Sequence, residues 1–306
     1  MALKYKAIGI ILILFAVVWI IGPDKRRITD RVRASSGSEF IELSEGFVEI
    51  ESAGPVNGEP VVLIHGLSVP MYDWDGQFEN LADNGCRVVR YNQFGRGLSD
   101  RPRGVYGLDR YVMQLHELLE SQGWDKANII GHSMGGVVAA GFAEAFPESV
   151  NRVVLISPGL HMALDNSGIT LIRLPVLGDI AAKTVLPSIL SNRAEDLFIN
   201  AGTAEADRYS QAFRRQVRYA GFSRSVKSLF RHDVVEERSD TYSALGAFET
   251  LLIHGTEDES VPQTHFNIIA NQTSAERIVL PGIGHMPNME VPDEVNSLIV
   301  GFLQER

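Results

Sequence analysis

The chain has 306 residues, of which 45% are hydrophobic, and it carries a formal net charge of −10. A core of ordinary size can therefore be buried, and the acidic charge argues against a nucleic acid as partner. The single cysteine, Cys86, excludes an internal disulfide. No ligand spacing typical of a metal site is present, and no glycine-rich phosphate loop opens a helix, so we predict no metal and no other cofactor.

An apolar run without any charge occupies residues 7–22, with basic residues on both sides. Sixteen residues are slightly fewer than the roughly 20 that cross a bilayer, but snorkelling lysines and Trp19 can make up the difference. A cleaved signal peptide is the alternative, although no small-residue cleavage site follows. We expect a membrane anchor with its basic flank at 1–33. The excess of basic residues after the run favours a single-pass protein whose main body is cytoplasmic.

Eight strands are predicted, with helical segments between most of them. Residues 39–43 and 46–50 predict a hairpin. Six short apolar runs, typical of buried parallel strands, follow at 61–65, 87–91, 128–132, 152–157, 250–254 and 277–280. The alternation predicts an α/β fold with a mostly parallel, doubly wound sheet. A last helix is predicted at about 292–303.

One long interruption of this alternation lies between the strands at 152–157 and 250–254. About 85 residues there are helical in pattern, and Tyr209, Phe213, Val217 and Ala220 fall on one helical face. We predict a helical insertion at 159–247, which divides the α/β core into residues 34–158 and 248–306. The first half of this insertion is strongly apolar. The second half contains seven basic and no acidic residues between 208 and 231, namely Arg208, Arg214, Arg215, Arg218, Arg224, Lys227 and Arg231.

A buried strand that turns sharply into a helix is predicted by residues 129–136, Ile-Ile-Gly-His-Ser-Met-Gly-Gly. Ser133 stands at the turn, where a strained backbone projects its hydroxyl from the sheet. Side chains at positions 131 and 135 would collide as the helix folds back, which explains Gly131 and Gly135. A serine hydroxyl is a weak nucleophile alone, so this interpretation requires a base and an orienting acid.

Both partners are present later in the chain. Asp258 follows the strand at 250–254, and His285 follows the last strand. Ser133, Asp258 and His285 are therefore the predicted catalytic residues, in the chain order Ser, Asp, His. Glu257 is the nearby alternative to Asp258, but the spacing to Val261-Pro262 favours Asp258.

An oxyanion hole is predicted from two backbone N–H groups. One belongs to Met134, at the start of the helix after Ser133, and the other to Leu67, in the loop after the strand at 61–65. His65 is expected to support this loop. We expect His65, Met71 and Trp74 to contribute to the wall of the pocket, with helix packing alone as the alternative for the last two.

These motifs resemble those of the α/β-hydrolase fold, in the group of serine esterases, lipases and C–C hydrolases. The matching segments are 63–66, 95–100, 131–136, 258–262 and 282–287, and they span most of residues 39–306. The resemblance implies that the insertion at 159–247 forms a cap over the active site. It also implies ester hydrolysis without a cofactor, with C–C bond hydrolysis of ring-cleavage products as the alternative.

One position departs from this family pattern. The family usually has Asp before its G-x-G-x-S loop, and this chain has Asn92. Asn can still bond the loop N–H groups but carries no charge. We interpret this position as structural.

The substrate expected from the anchor, the apolar insertion and its basic half is a lipid-derived ester, such as a monoacylglycerol or a short- or medium-chain acyl ester. The apolar residues either line an acyl pocket or form only the insertion's own core. The basic residues either face anionic headgroups or form a solvated surface paired with acids. A catalytically silent binding protein is the remaining alternative, which the complete Ser-His-Asp set disfavours.

Overall fold

A computed structural model describes residues 25–67, 70–160, 203–232 and 239–305 of the chain. Between 161 and 202 it describes only 172, 174, 177–184, 186–188, 190 and 196–199. The apolar run at 7–22, predicted as a membrane anchor, lies outside these residues, as does much of the apolar half of the insertion. In the part of the chain that is described, no helix is long and apolar enough to cross a membrane.

One eight-stranded sheet forms the centre of the molecule, in the order β1-β2-β4-β3-β5-β6-β7-β8. The pairs β1–β2 and β2–β4 are antiparallel, and all the other pairs are parallel. The predicted fold class is therefore confirmed, with strand ends shifted by at most three residues. The strands are β1 (Glu39–Leu43), β2 (Gly46–Ala53), β3 (Glu59–Ile64), β4 (Cys86–Tyr91), β5 (Ala127–His132), β6 (Val150–Ile156), β7 (Thr250–Gly255) and β8 (Glu276–Leu280).

Helices connect these strands and cover the sheet. A short 3₁₀ helix at Met71–Trp74 follows β3. The α-helices are α1 (Asp30–Ala34), α2 (Asp75–Asp83), α3 (Leu108–Ser121), α4 (Met134–Ala145), α5 (Leu177–Thr184), α6 (Ala204–Gln216), α7 (Phe222–His232), α8 (Ser239–Tyr242), α9 (Gln263–Gln272), α10 (Pro287–Glu290) and α11 (Pro292–Gln304).

The two faces of the sheet pack into separate hydrophobic clusters because side chains alternate along each strand. In β3, Val62 and Ile64 belong to the larger cluster, whereas Val61 and Leu63 face the other way into the second. All four are fully buried. Helices on both faces therefore explain why this strand is continuously apolar rather than alternating.

The insertion is helical where it is described, and one detail of the prediction is wrong. Tyr209, Phe213 and Val217 are buried along one side, as expected. Helix α6, however, ends at Gln216, and Ala220 is exposed. The N–H of Ala220 donates to the carbonyl of Arg26, at 2.8 Å. The N-terminal basic flank therefore lies directly against the insertion.

Candidate active site

The predicted nucleophile lies at a strained turn between β5 and α4. Ser133 has φ 53° and ψ −116°, a conformation that non-glycine residues rarely adopt. A Cβ added to Gly131 would lie 2.4 Å from the Gly135 carbonyl oxygen, and one added to Gly135 would lie 2.1 Å from that of Ile64. The two glycines therefore permit the close crossing of strand and helix that presents the Ser133 hydroxyl.

The three predicted catalytic side chains lie in one hydrogen-bonded chain. Nε2 of His285 is 3.0 Å from Oγ of Ser133, and its Nδ1 is 2.8 Å from Oδ2 of Asp258. Ser133 is partly exposed, whereas His285 and Asp258 are buried. This arrangement lets the imidazole accept the serine proton while the carboxylate orients the ring.

The carboxylate of Asp258 is held in its ionised form. Its Oδ1 accepts hydrogen bonds from the N–H groups of Ser260, at 2.9 Å, and Val261, at 2.8 Å. Burial alone would raise the pKa of Asp258, but the His285 ring and the Val261 N–H lower it by more. Glu257, the alternative acid, is exposed, and its carboxylate accepts from the hydroxyl of Thr256 at 3.3 Å.

The loop that carries His285 is tied to the insertion. The N–H of His285 donates to the carbonyl of Leu197 at 3.1 Å. Glu290 accepts from the N–H groups of Gly284, at 3.0 Å, and Ile199, at 3.1 Å. The segment 196–199 is therefore fixed beside the catalytic histidine.

The predicted oxyanion donors belong to the residue after the nucleophile and to the loop after β3. Met134 is the first residue of α4, so its N–H has no acceptor within the helix. Leu67 is buried, and its carbonyl accepts from Nε of the fully buried Arg96 at 2.7 Å. The loop after β3 is thereby held in place, while the donor roles of the two N–H groups remain predictions.

The residues expected to wall the pocket lie mostly in the core. His65 and Trp74 have no exposed surface and Met71 only 6%. That expectation is therefore wrong for His65 and Trp74, because the chain folds the segment after β3 inward. Trp74 packs edge-on against His132 at 6.4 Å, which matches the helix-packing alternative.

His65 instead supports the loop after β3. Its Nε2 accepts from the N–H of Gln93 at 3.0 Å, so its proton lies on Nδ1, which contacts the Gly66 carbonyl at 2.7 Å. Burial lowers the pKa of His65 to about 4, despite the opposing bond to Gly66. A neutral His65 that fastens two loops is the result.

A second Asp–His pair, which the sequence did not reveal, lies beside the first. Nδ1 of His132 is 2.8 Å from Oδ2 of Asp73, in the Met71–Trp74 helix. Neither His132 nor Asp73 was among the predicted site residues. The sequence contained one indication of this pair, which is the acid between Tyr72 and Trp74. A carboxylate in such an apolar segment needs a buried partner.

The missing charge at Asn92 is supplied from β2. Glu49, which is 6% exposed, accepts from Nδ2 of Asn92 at 2.5 Å and from the N–H of Leu98 at 2.7 Å. Ser38 donates to its other oxygen at 2.8 Å. A carboxylate therefore still holds the 95–100 loop, although it belongs to a different strand.

His254, near the end of β7, stacks on Phe266 with ring centroids 5.0 Å apart. Its Nδ1 lies 3.8 Å from Oδ2 of Asp258, beyond hydrogen-bond distance. Burial lowers the pKa of His254.

Across the described ranges, no three His, Cys, Asp or Glu side chains are grouped so that they could hold a metal ion.

Known proteins share both the sequence pattern and the architecture. The chain is 26% identical over 291 residues to 2-hydroxy-6-oxo-6-phenylhexa-2,4-dienoate hydrolase from Burkholderia cepacia, covering 88% of this chain and 97% of that protein. A thermophilic esterase from Thermogutta terrifontis superposes with a TM-score of 0.74 at 22% identity, over 87% of this chain and 98% of the esterase. A bromoperoxidase from Bacillus anthracis has a TM-score of 0.75 at 21% identity, over 88% and 100%.

These structural similarities lie below 25% identity and concern the fold alone. The family assignment comes from residues 61–298, which match the alpha/beta hydrolase family. That range contains most of β3, all of β4 to β8, the turn at Ser133 and the loops of Asp258 and His285. The protein thus belongs to the alpha/beta hydrolase family, a family of enzymes.

Proposed function

We propose that this protein is a serine hydrolase that cleaves carboxylic esters through an acyl-enzyme. The observation that carries the proposal is the hydrogen-bonded chain from Ser133 through His285 to Asp258, with distances of 3.0 and 2.8 Å. A serine without a catalytic role does not require a strained turn, a base and an oriented acid together. The same geometry argues against a catalytically silent binding protein.

In this mechanism Ser133 Oγ attacks the ester carbonyl while His285 accepts its proton. Asp258 orients the imidazole and stabilises the imidazolium that forms. The N–H groups of Met134 and Leu67 stabilise the oxyanion, each by about 2.7–4 kcal/mol if they resemble measured donors. His285 then protonates the leaving alcohol and activates a water molecule that releases the acid.

The proposed substrates are lipid-derived esters, such as monoacylglycerols or short- and medium-chain acyl esters. C–C bond hydrolysis is the second candidate, because the relative from Burkholderia cepacia is a dienoate hydrolase by name and aligns over nearly its whole length. Both reactions use a serine, a histidine and an acid, so the triad does not distinguish them. The difference lies in the substrate.

Direct assays separate these candidates. The full chain and Ser133→Ala are compared on p-nitrophenyl esters from C2 to C16, on a monoacylglycerol and on a ring-cleavage dienone, with fluorophosphonate labelling in parallel. We expect labelling at Ser133 and ester hydrolysis that falls by about 10⁶-fold in Ser133→Ala. A well-folded protein that hydrolyses only the dienone supports the second candidate. Absence of both labelling and turnover contradicts the proposal.

We further propose that residues 7–22 anchor the protein in a membrane with the basic side of the insertion on the headgroups. The support is a backbone bridge. The N–H of Arg26 donates to the carbonyl of Arg218 at 2.9 Å, and the N–H of Ala220 donates to the carbonyl of Arg26 at 2.8 Å. The flank that follows the apolar run therefore lies against the segment after α6, next to the exposed Arg218.

Four basic residues of this half are held by contacts within the protein. Arg208 pairs with Asp75 at 2.7 Å, and Lys227 pairs with Asp179. Arg224 donates to the Pro102 carbonyl at 2.8 Å, and Arg231 donates to that of Leu174 at 2.8 Å. The surface that we propose for lipid is the group of exposed arginines Arg214, Arg215 and Arg218, close in sequence to the contact with the N-terminal flank.

Membrane washing and vesicle binding test this arrangement. The full chain is expected to stay in the membrane fraction after a high-salt wash, and release by salt would contradict the anchor. Replacing Arg214, Arg215 and Arg218 by Gln should weaken binding to vesicles containing phosphatidylglycerol, by about 1 kcal/mol for each arginine. Lys126→Gln, an exposed position before β5, is the matched control. Equal binding by the triple variant would exclude the headgroup contact.

A further inference from the structure

The buried Asp73–His132 pair connects three parts of the active site. His132 is the last residue of β5 and immediately precedes Ser133. Its Nδ1 faces Oδ2 of Asp73 at 2.8 Å, and its Nε2 is 3.0 Å from the carbonyl oxygen of His285. The proposed mechanism uses neither Asp73 nor His132.

The partners of the ring decide where its protons are. A carbonyl oxygen only accepts hydrogen bonds, so Nε2 of His132 carries a proton that it donates to His285. An ionised carboxylate also only accepts hydrogen bonds, so Nδ1 of His132 must carry a proton as well if Asp73 is ionised. Hydrogen bonds from other donors favour this ionised form. Asp73 has two such donors, because its Oδ2 also accepts from the Gly66 N–H at 3.3 Å and its Oδ1 accepts from Nδ2 of Asn288 at 3.2 Å.

The charges around the pair agree with this assignment. Burial by itself would lower the pKa of His132, but Asp73 raises it by more. Burial would likewise raise the pKa of Asp73, but His132 and Asn288 lower it by more. Asp73 is fully buried and His132 is 2% exposed, so water does not compete for either group.

We propose that His132 is an imidazolium at neutral pH, paired with Asp73, that positions the nucleophile, the catalytic histidine and the loop after β3 relative to one another. His132 continues directly into Ser133, holds the backbone of His285, and shares Asp73 with Gly66. This inference rests on the proposed function for its kinetic consequence, but the protonation state does not depend on turnover. His132 and Asp73 are positioning residues, since they act through His285 and Gly66.

Neutralising the pair should slow the chemical step. A displacement of reacting groups by about 1 Å costs roughly 10²-fold in rate. Asp73→Asn should therefore lower kcat by about 10²-fold with little change in KM, and slow fluorophosphonate labelling of Ser133. Asp83→Asn, at the exposed end of α2, is the matched control. His132→Gln, which keeps a donor for the His285 carbonyl but carries no charge, is the second variant.

The deciding measurement is nitrogen NMR of the full chain with labelled histidine. At pH 7 we expect both ring nitrogens of His132 to be protonated in the wild type and only one in Asp73→Asn. A neutral His132 in the wild type overturns the proposal. So does wild-type kcat in a folded Asp73→Asn or His132→Gln. If Ser133→Ala still hydrolyses esters, the proposed function fails, while the His132 spectrum tests the imidazolium independently.

Discussion

Two buried Asp–His pairs lie side by side in this molecule, and both have an imidazole–carboxylate distance of 2.8 Å. Their rings are 5.1 Å apart. They differ in what faces the second nitrogen. His285 faces a serine hydroxyl, which can give up a proton, whereas His132 faces a carbonyl oxygen, which cannot. The partner of Nε2, rather than the carboxylate, therefore separates a general base from a fixed cation.

Exchanging the histidines for glutamine should give the largest contrast between the pairs. His285→Gln removes the base and is expected to lower kcat by about 10⁶-fold, as in other enzymes that lose one member of a triad. His132→Gln should lower kcat by only about 10²-fold, because the base remains. Steady-state kinetics on one p-nitrophenyl ester measures both. Equal losses would mean that His132 takes part in proton transfer.

Exchanging the acids for asparagine should give the next largest effects. Asp258→Asn is expected to lower kcat by about 10⁴-fold, since the ring loses its correct tautomer. Asp73→Asn, at about 10²-fold, should affect mainly the placement of loops. The comparison requires both variants to unfold at temperatures near that of the wild type. A greater loss of kcat in Asp73→Asn than in Asp258→Asn would reverse our assignment of roles.

The pH dependence of stability should also distinguish Asp73→Asn from the wild type. The pKa of Asp73 is lowered below its ordinary 3.8, so its contribution is complete above that value and is lost as pH falls through the folded pKa. The pKa of His132 is raised above 6.5, so its contribution is complete below 6.5 and is lost as pH rises through the folded pKa. In urea unfolding, the stability difference should therefore be largest between these two values and shrink at lower and higher pH.

The smallest effect is expected from the residue that supports the second carboxylate. Asn288 donates to the backbone oxygen of Asp73 at 2.6 Å as well as to its side chain. Asn288→Ala should cost about 1–3 kcal/mol of unfolding free energy, because a buried acceptor is left unpaired. We expect kcat to fall only a few-fold. Calorimetry and the ester assay together check this, and an unchanged unfolding temperature would contradict it.

The sequence was sufficient for the fold and for the residues of the first pair. Each parallel strand is a short apolar run, and Ser133, Asp258 and His285 each lie in a local motif that spacing identifies. The second pair has no such motif, because Asp73 and His132 are 59 residues apart and meet only through the sheet. Long-range pairing of this kind depends on how the loop after β3 folds inward. The same inward fold explains why Trp74 lies in the core.

The contact between Glu49 and Asn92 is a second long-range pairing that the sequence alone does not predict. Glu49 is a charged residue on β2, yet it is buried against Asn92 and the 95–100 loop. Only the pairing of β2 with β4 brings the two residues together. The domain limits at 159–247 and the membrane side remain predictions.

The contact between Glu49 and Asn92 also constrains how this lineage can change. An aspartate at position 92 beside Glu49 would place two carboxylates in one buried site, and one of them would have to bind a proton. Conversely, losing Glu49 while Asn92 remains would leave the N–H of Leu98 without its acceptor. Neither substitution is neutral by itself, so the two positions are expected to have exchanged their charge as a coupled pair during evolution. Among related proteins, an acid at one position should therefore predict an amide or a small residue at the other.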